Sequence, residues 1–277
     1  MKNYFNKYYE SYKRYGLISF VNQILSKIGL KMRFKDPIQK KRIYLSKKLN
    51  ELTNGEIIDG IYKGSKLIYS SDFFLAKPAQ LLGCYEKEVQ EKIFELSKKY
   101  NLNYFLSIGA GEGYHAIGSR VAKLFEHSLC FELEKKNREI IKKNFKLNLI
   151  NENFDIFGKA DLDFLQVIKN KVELRKSLFL FDIEGDEFKI LNQENLRLIK
   201  DACLIVELHH FYLTKSQNEE FLEKLRQNFK ITFIITGNRK FSNFKILDKL
   251  NDDEKWLSMS ESRPATMNWI ICEPLIS

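Results

Sequence analysis

The chain has 277 residues, of which 44% are hydrophobic and 13% aromatic, with only 4 prolines. This composition excludes a disordered, collagen-like or low-complexity protein, and the length suits one large α/β domain with an extension. The formal net charge is +10 at pH 7. Residues 1–50 hold thirteen Lys and Arg but only two acids, Glu10 and Asp36, so the basic character belongs to this segment.

The basic N-terminal segment has the pattern of an amphipathic helix. Aromatic and aliphatic residues recur at three- and four-residue steps from Phe5 to Ile28, with lysines among them. We predict a basic, mainly helical extension over residues 1–75 and a second domain over residues 76–277. The extension either packs on that domain with a solvated basic face, or binds a membrane surface or protein partner. Because no nucleic-acid motif accompanies the cations, we expect no nucleic-acid partner.

The cysteines and the absence of long apolar runs bear on the compartment. Cys84, Cys130, Cys203 and Cys272 are far apart and form no metal-binding or disulfide spacing. No run of about 18 apolar residues and no leader pattern is present. We therefore expect free thiols and a cytoplasmic protein, with the basic segment able to contact the inner face of the membrane.

From residue 85 onward, the hydrophobic pattern alternates between helices and strands. Helices are expected at 85–100, from 114, and at 135–148, 162–170, 187–199 and 216–229. Strands are expected at 104–108, 128–131, 153–158, 177–183, 202–208, 230–236 and 267–273. Strands such as LFLFDI are continuously apolar, which indicates helices on both faces. The predicted fold is an α/β, Rossmann-like sheet of seven mostly parallel strands.

A glycine-rich turn follows the first of these strands, in the stretch FLSIGAGEGYHAIG. Glycine suits positions where the backbone takes positive φ or a ligand approaches closely, and open α/β sheets bind ligands at such strand ends. Tyr114 occupies the place of the last glycine in the dinucleotide fingerprint. The G-x-G-x-G spacing of Gly109, Gly111 and Gly113 instead resembles the first motif of class I S-adenosylmethionine-dependent methyltransferases, although Ser107 stands where many members carry an acid.

An acid closes the second predicted strand. Glu132 comes 19 positions after Gly113, where a carboxylate can accept both ribose hydroxyls of a bound nucleoside. Glu134 is the alternative. By the same resemblance, Ala160 and Asp161, after the third strand, would border the adenine; the side chain of Asp161 could equally cap the next helix.

Acids and imidazoles also follow the fourth and fifth strands. Asp182 and Glu184 follow LFLF, and Glu207, His209 and His210 end VELHH. Because residues two apart on a strand share a face, these groups are expected to converge at one mouth. His209 has the reference pKa nearest neutrality and is the natural base, with Asp182 as its rival or as a contact to the cofactor.

Two other interpretations of these residues compete with this prediction. Glu187 could simply start a helix, while Glu207 and His209 hydrogen-bond to loop backbone. A divalent cation held by Asp182, Glu184, Glu207 and His209 is chemically possible. Since the spacing is no metal signature, we expect no metal.

The blocks LLGCYEKEV, DIEGDE and VELHH, with the closing Arg263-Pro and MNWI, resemble the FkbM-like branch of class I methyltransferases over about residues 80–273. The resemblance implies O-methylation of sugars or natural products, often in surface-polysaccharide biosynthesis. The resemblance singles out no base, so Asp182, Glu184 and His209 are candidates for catalysis from their positions at the strand ends alone. Arg239 and Arg263 lie in the long connection before the last strand and could meet an anionic acceptor group.

The expected function is therefore methyl transfer from S-adenosylmethionine to a hydroxyl of a carbohydrate or other small molecule. Gly109, Gly111, Gly113 and Glu132 would hold that cofactor. The alternatives are an NAD-dependent oxidoreductase and a non-catalytic scaffold that binds a membrane surface or a protein partner.

Overall fold

The computed structural model describes residues 37–69, 76–209, 212–263 and 267–275, together with the helical positions Leu17, Val21, Ile24 and Leu25. The other residues of the predicted N-terminal helix lie outside the described residues. Within the described part, no helix combines the length and the apolar character that crossing a bilayer requires. The four cysteines are free and buried, as predicted.

Helices and strands alternate along the chain from residue 87 onward, as predicted. The helices are α1 Pro37–Thr53, α2 Lys77–Leu81, α3 Lys87–Lys99, α4 Tyr114–Val121, α5 Lys135–Leu147, α6 Phe164–Ile168, α7 Glu187–Ile190, α8 Gln193–Leu198, α9 Lys215–Arg226 and α10 Asp252–Met259. The strands are β1 Tyr104–Ile108, β2 His127–Phe131, β3 Phe154–Phe157, β4 Ser177–Phe181, β5 Cys203–Glu207, β6 Phe229–Ile235 and β7 Asn268–Pro274.

The seven strands form one sheet in the order β3-β2-β1-β4-β5-β7-β6. The first five strands are parallel, and β7 runs antiparallel between β5 and β6. Ile108 pairs with both Phe131 and Phe181, so the tips of β1, β2 and β4 lie side by side. The chain leaves β1 toward β2 and then returns to β4, which creates a switch point beside the tip of β1. The predicted Rossmann-like, mostly parallel sheet is confirmed.

Helices cover both faces of this sheet. Alternate strand residues such as Ile108 and Phe181 pack in one buried cluster with α6, α7, α8 and α9. The residues between them, such as Phe105 and Leu180, pack in a second cluster with α3, α4 and α5. This alternation explains the continuously apolar strands, because each face needs its own apolar side chains.

One predicted helix is wrong in its extent. The stretch 187–199 forms two helices, α7 and α8, because the chain leaves the helix at Leu191. The side chain of Asn192 then accepts the backbone N–H of Asn195 at 2.9 Å and caps α8. An asparagine that satisfies an exposed helix-end donor favours a new helix start over continuation.

Residues 37–69 pack against the rest of the described chain. Leu45 and Leu49 of α1 are fully buried in a cluster with Leu81, Leu247 and Met259. The Asn148 side chain accepts from the backbone N–H of Lys66 and donates to its carbonyl, at 2.9 and 2.7 Å. The division at residue 75 stays a prediction, and the described part of the extension adjoins the main body through a buried core.

Candidate functional site

The loop after β1 has the backbone geometry that its glycines predict. Gly109, Gly111 and Gly113 have φ values of 90°, 55° and 86°, in the left-handed region. A Cβ on Gly109 would lie 1.8 Å from the carbonyl oxygen of Asp182, and one on Gly113 would lie 2.3 Å from Cδ1 of Ile117. The first and third glycines therefore also let the loop pack closely against β4 and α4.

Glu132, at the tip of β2, is bound to this loop. Its Oε2 accepts the backbone N–H of Gly111 at 2.8 Å, and its Oε1 accepts the backbone N–H of Glu134 at 2.9 Å. The side chain of Asn137 adds a longer contact of 3.4 Å to Oε1. Glu132 is buried, whereas Glu134 is exposed. Each carboxylate oxygen can accept two hydrogen bonds, so one position on Oε2 is open to a ligand hydroxyl, and a second hydroxyl would replace the long contact from Asn137.

The two residues predicted beside the adenine differ in exposure. Ala160 is buried and Asp161 is exposed, with its carboxylate 3.6 Å from the Lys159 ammonium. Asp161 does not cap the next helix, because α6 begins at Phe164 with Asp163 in the N-cap position. The Asp161 side chain is therefore available at the surface beside β3.

A narrow recess of about 60 Å³ opens between the loop and β4. Its walls include Gly109, Gly111, Ser107 and Asp182. The recess lies at the switch point of the sheet, where the fold class places ligands.

His209, just beyond β5, is 3% exposed and is oriented by a carboxylate. Its Nδ1 donates to Oε1 of Glu187 at 2.5 Å, and Nε2, the other ring nitrogen, takes no part in this bond. Nε2 lies 3.6 Å from Glu184 and 3.8 Å from both Asp182 and Glu207. Burial lowers the pKa of His209, but Glu187, Asp182 and Glu184 outweigh burial and raise that pKa above its usual value.

Asp182 and Glu207 form a hydrogen-bonded carboxyl pair. Burial raises the pKa of Asp182 and, together with the charge of Asp182, raises that of Glu207 well above its usual range. The negative charge of Asp182 thus opposes ionisation of the buried Glu207 carboxyl. Glu184 has a raised pKa through burial and the charge of Asp182, although its side chain is 80% exposed. The structure thus brings Asp182, Glu184, Glu207 and His209 to one mouth, and His210 lies outside the described residues.

Arg239 and Arg263 are held by carboxylates of the protein itself, which argues against the predicted contact with an anionic acceptor. Arg263 contacts Glu207, Glu86 and Glu261 through three different nitrogens. Arg239 pairs with both oxygens of Glu88 and with Glu261, and its Nε donates to the carbonyl of Cys84 at 2.7 Å. Buried carboxylates outnumber the two arginines here, which is why both guanidinium groups point inward.

Glu86 links this ion network to the glycine loop. Its Oε2 accepts from Nε2 of His115 at 2.6 Å, and the Tyr62 hydroxyl lies 3.0 Å from Nδ1 of the same imidazole. Burial raises the pKa of Glu86, but Arg263 and His115 outweigh it and hold that pKa at about 2. His115 lies at the start of α4, directly after the glycine loop. Arg263 contacts both Glu86 and Glu207, the last residue of β5. Glu86 therefore connects the loop to the tip of β5.

The same mouth contains atoms that a cation could use. Asp182, Glu207 and His209 each offer one ligand atom, and these atoms lie within 4.8 Å of one another. Arg263 already contacts one oxygen of Glu207, and Asp182 is hydrogen-bonded to the same carboxyl group. The expectation that this cluster holds no metal stays a prediction.

Sequence reasoning missed two residues of this site. Glu187 was read only as a helix start, yet it is fully buried and holds His209. Glu86 was not singled out at all. Glu187 begins a helix only a few residues after β4 ends. A side chain in the first turn of such a helix lies near the edge of the sheet, and this position is the sequence signal that could have identified Glu187.

The comparisons with known proteins support the fold and give no family. No protein-family model matches the chain. A curated protein, the RecB subunit of the RecBCD enzyme from Buchnera aphidicola, is 23% identical over 296 residues, covering 95% of this chain and 24% of RecB. The chain thus spans about a quarter of that relative's length.

The solved structures similar to this chain include methyltransferases. The METTL16 methyltransferase domain is 15% identical with a TM-score of 0.51, covering 89% of this chain and 83% of that domain. The O-methyltransferase from Bacillus cereus, in complex with SAH, is 12% identical with a TM-score of 0.46, covering 91% of this chain and 97% of that chain. TomG from Streptomyces achromogenes, in complex with SAM, is 10% identical with a TM-score of 0.46, covering 91% and 96%. The likeness to METTL16 shows that this chain has the Rossmann-like fold of a methyltransferase domain.

Proposed function

We propose that the protein is a class I S-adenosylmethionine-dependent O-methyltransferase, of the FkbM-like branch, that methylates a hydroxyl of a carbohydrate or glycoconjugate. The observation that carries the proposal is the contact between Glu132 and the backbone N–H of Gly111. This contact joins the glycine turn after β1 to the acid at the tip of β2, the two features that a nucleoside cofactor requires at this edge of the sheet.

The residues at the loop suit the two ends of that cofactor. Gly109 and Gly111 border the recess and would accommodate its methionine part, together with Asp182. Glu132 would accept the ribose hydroxyls, and Ala160 and Asp161 would border the adenine. When bound, the sulfonium supplies a methyl group that an acceptor oxygen can take by in-line displacement.

His209 is the proposed base. Its Nε2 would take the proton of the acceptor hydroxyl, while Glu187 holds Nδ1–H and fixes the tautomer. The carboxylates around Nε2 stabilise the imidazolium that results, which matches the raised pKa of His209. Asp182 and Glu184 would orient the acceptor hydroxyl beside Nε2.

The acceptor class and the cellular setting rest on the sequence resemblance and on charge. Surface-polysaccharide biosynthesis would supply hydroxyl-bearing carbohydrate acceptors. We propose a cytoplasmic enzyme whose basic residues 1–50 contact the inner face of a membrane. The excess of cations over acids in that segment supports this placement, because anionic lipids attract such segments.

Isothermal titration calorimetry tests the cofactor. We expect S-adenosylhomocysteine to bind with micromolar affinity and NAD not to bind. Glu132→Ala should weaken S-adenosylhomocysteine binding by about tenfold or more, since hydrogen bonds to a charged acceptor contribute about 1.5–3 kcal/mol each. Glu134→Ala is the matched control, because its side chain is exposed and lies two residues away.

The same titration separates the alternatives. Binding of NAD in place of S-adenosylhomocysteine would make the protein an oxidoreductase. Binding of neither compound to a folded protein would support a non-catalytic scaffold. Thermal unfolding of each variant shows whether lost binding reflects lost structure.

A further inference from the structure

A second cavity lies beside the proposed reaction centre, at the same edge of the sheet. It has a volume of about 450 Å³ and is lined by residues after β6 and by the end of α10, including Asn238, Arg239, Trp256, Glu261 and Arg263. β6 runs parallel to β5, since both are antiparallel to β7, so β6 ends at the edge that carries His209.

The charged walls of this cavity are already neutralised from within the protein. The five N–H groups of Arg239 have acceptors in Glu88, Glu261 and backbone carbonyls. Each of the three nitrogens of Arg263 contacts a carboxylate. An anionic ligand would therefore meet carboxylates, and guanidinium groups that are already paired with them, whereas an uncharged ligand meets no such repulsion.

An exposed indole forms the apolar part of the wall. Trp256 is 52% exposed, an unusual state for the largest apolar side chain. The Phe241 ring stands perpendicular to it with centroids 5.0 Å apart, which limits its movement. Sugar rings present an apolar C–H face that stacks on such an indole and a rim of hydroxyls that needs polar partners.

The cavity is built on fixed elements. Asn251 and Glu254 form a reciprocal cap at the start of α10. Arg42 of α1 donates to the hydroxyl of Ser260, just beyond the end of α10, at 2.8 Å. A platform held at both ends of its helix loses little freedom when a ligand binds.

We infer that this cavity is the acceptor subsite for a neutral glycan, one of whose sugar rings stacks on Trp256 while its hydroxyls meet Asn238 and the backbone after β6. The inference rests on the proposed function and names the charge class and the location of its acceptor. Arg263 connects the subsite to the reaction centre, because its guanidinium lines the cavity and contacts Glu207, whose Oε2 lies 3.8 Å from Nε2 of His209.

A glycan array tests the inference with the full-length protein. The array carries neutral, sulfated, phosphorylated and uronate-bearing oligosaccharides. We expect binding to neutral glycans, about tenfold or more weaker in Trp256→Ala, because a stacked indole contributes apolar burial of this order. Trp256→Phe should retain part of the binding. Phe94→Ala, a change at an aromatic residue that is 45% exposed and lines neither cavity, should retain all of it.

Three outcomes would overturn the inference: binding only to acidic glycans, no binding to any glycan, or equal binding by Trp256→Ala and the parent. Calorimetry with S-adenosylhomocysteine on the same preparations keeps the two proposals apart. If the parent fails to bind S-adenosylhomocysteine, the proposed function fails. If Trp256→Ala binds it normally, lost glycan binding reports on the subsite and not on folding.

Discussion

His209 acquires its chemical properties from a residue on another element. Its imidazole follows β5, while Glu187 begins α7 and reaches Nδ1 at 2.5 Å. Asp182, Glu184 and Glu207 surround Nε2 at 3.6–3.8 Å. An imidazole amid carboxylates is protonated more readily than in water, so it accepts a proton from a substrate only above its raised pKa. Methyl transfer should accordingly gain rate as the pH rises through that pKa.

Glu187→Gln should lower the pKa of His209. Glutamine keeps an acceptor for Nδ1–H but removes a buried negative charge, so the pKa should fall by roughly one unit. NMR titration of the four histidines measures this shift. Glu219→Gln, at an exposed position of α9, is the matched control. A His209 pKa that is the same in Glu187→Gln and the parent would contradict the assigned contact.

The pH dependence of the stability of Glu187→Gln gives a second test of this contact. A raised pKa in the folded state adds stability that is fully present below about pH 6.5, the unfolded value, and is lost as the pH rises through the folded pKa. The parent should therefore lose more stability than Glu187→Gln across that window. Urea titrations at several pH values measure the difference.

The side chains of the site could be predicted only in part. The acids and the imidazole stand at strand ends in the sequence, and period two places them on one face, so their convergence was predictable. The inward pairing of Arg239 and Arg263 was not predictable. Their partners Glu86 and Glu88 lie more than 150 residues earlier, and no local pattern connects such distant positions.

At the scale of single elements, the loop after β1 depends on the close approach of two strands. Gly109 has a φ of 90°, and its Cα faces the backbone of Asp182 so closely that a Cβ would lie 1.8 Å from the carbonyl oxygen. Backbone cannot move aside as a flexible side chain can. The glycine is thus required by the packing of β1 against β4 as well as by the loop.

Gly109→Ala should destabilise the protein by about 3 kcal/mol or more and abolish S-adenosylhomocysteine binding. The strain combines a left-handed backbone, at about 1–2 kcal/mol, with overpacking of a further 1–3 kcal/mol. Gly158→Ala is the control, because a Cβ there meets nothing within 4 Å. Urea denaturation and calorimetry measure both effects, and equal stability of the two variants would refute this account of the loop.

The sequence predicted some helix and strand boundaries correctly and missed others, for physical reasons. Strands β1, β2 and β4 were predictable because a buried parallel strand needs apolar residues on both faces, and such runs are conspicuous. The break between α7 and α8 was missed because apolar periodicity continues across it. Only the capping role of Asn192 marks the break, and an asparagine within a helical pattern is ambiguous without its partner, Asn195.

At the scale of the whole molecule, helix α1 belongs to the buried interior of the fold. Leu45 and Leu49 are fully buried against residues that lie near positions 80 and 250 in the sequence. The sequence predicted a mainly helical extension over residues 1–75 but left open whether it packed on the domain. The structure shows that residues 37–53 pack on the domain.

Leu49→Ala should lower the free energy of unfolding of the entire protein by about 2–5 kcal/mol, the usual range for a buried leucine. Leu52→Ala, on the same helix at a position 37% exposed, should have a much smaller effect. Chemical denaturation monitored by Trp269, which is buried in the main body, measures the loss. An unchanged Trp269 transition would mean that α1 unfolds independently, as a separate extension would.

The central claim is that the glycine loop and Glu132 together hold S-adenosylmethionine. A crystal structure of the protein with bound S-adenosylhomocysteine tests it most directly. The account predicts the ribose hydroxyls on the Glu132 carboxylate and the homocysteine part in the recess beside Gly109 and Gly111. Ligand density at another place, or a recess closed by side chains with no ligand in it, would contradict the claim.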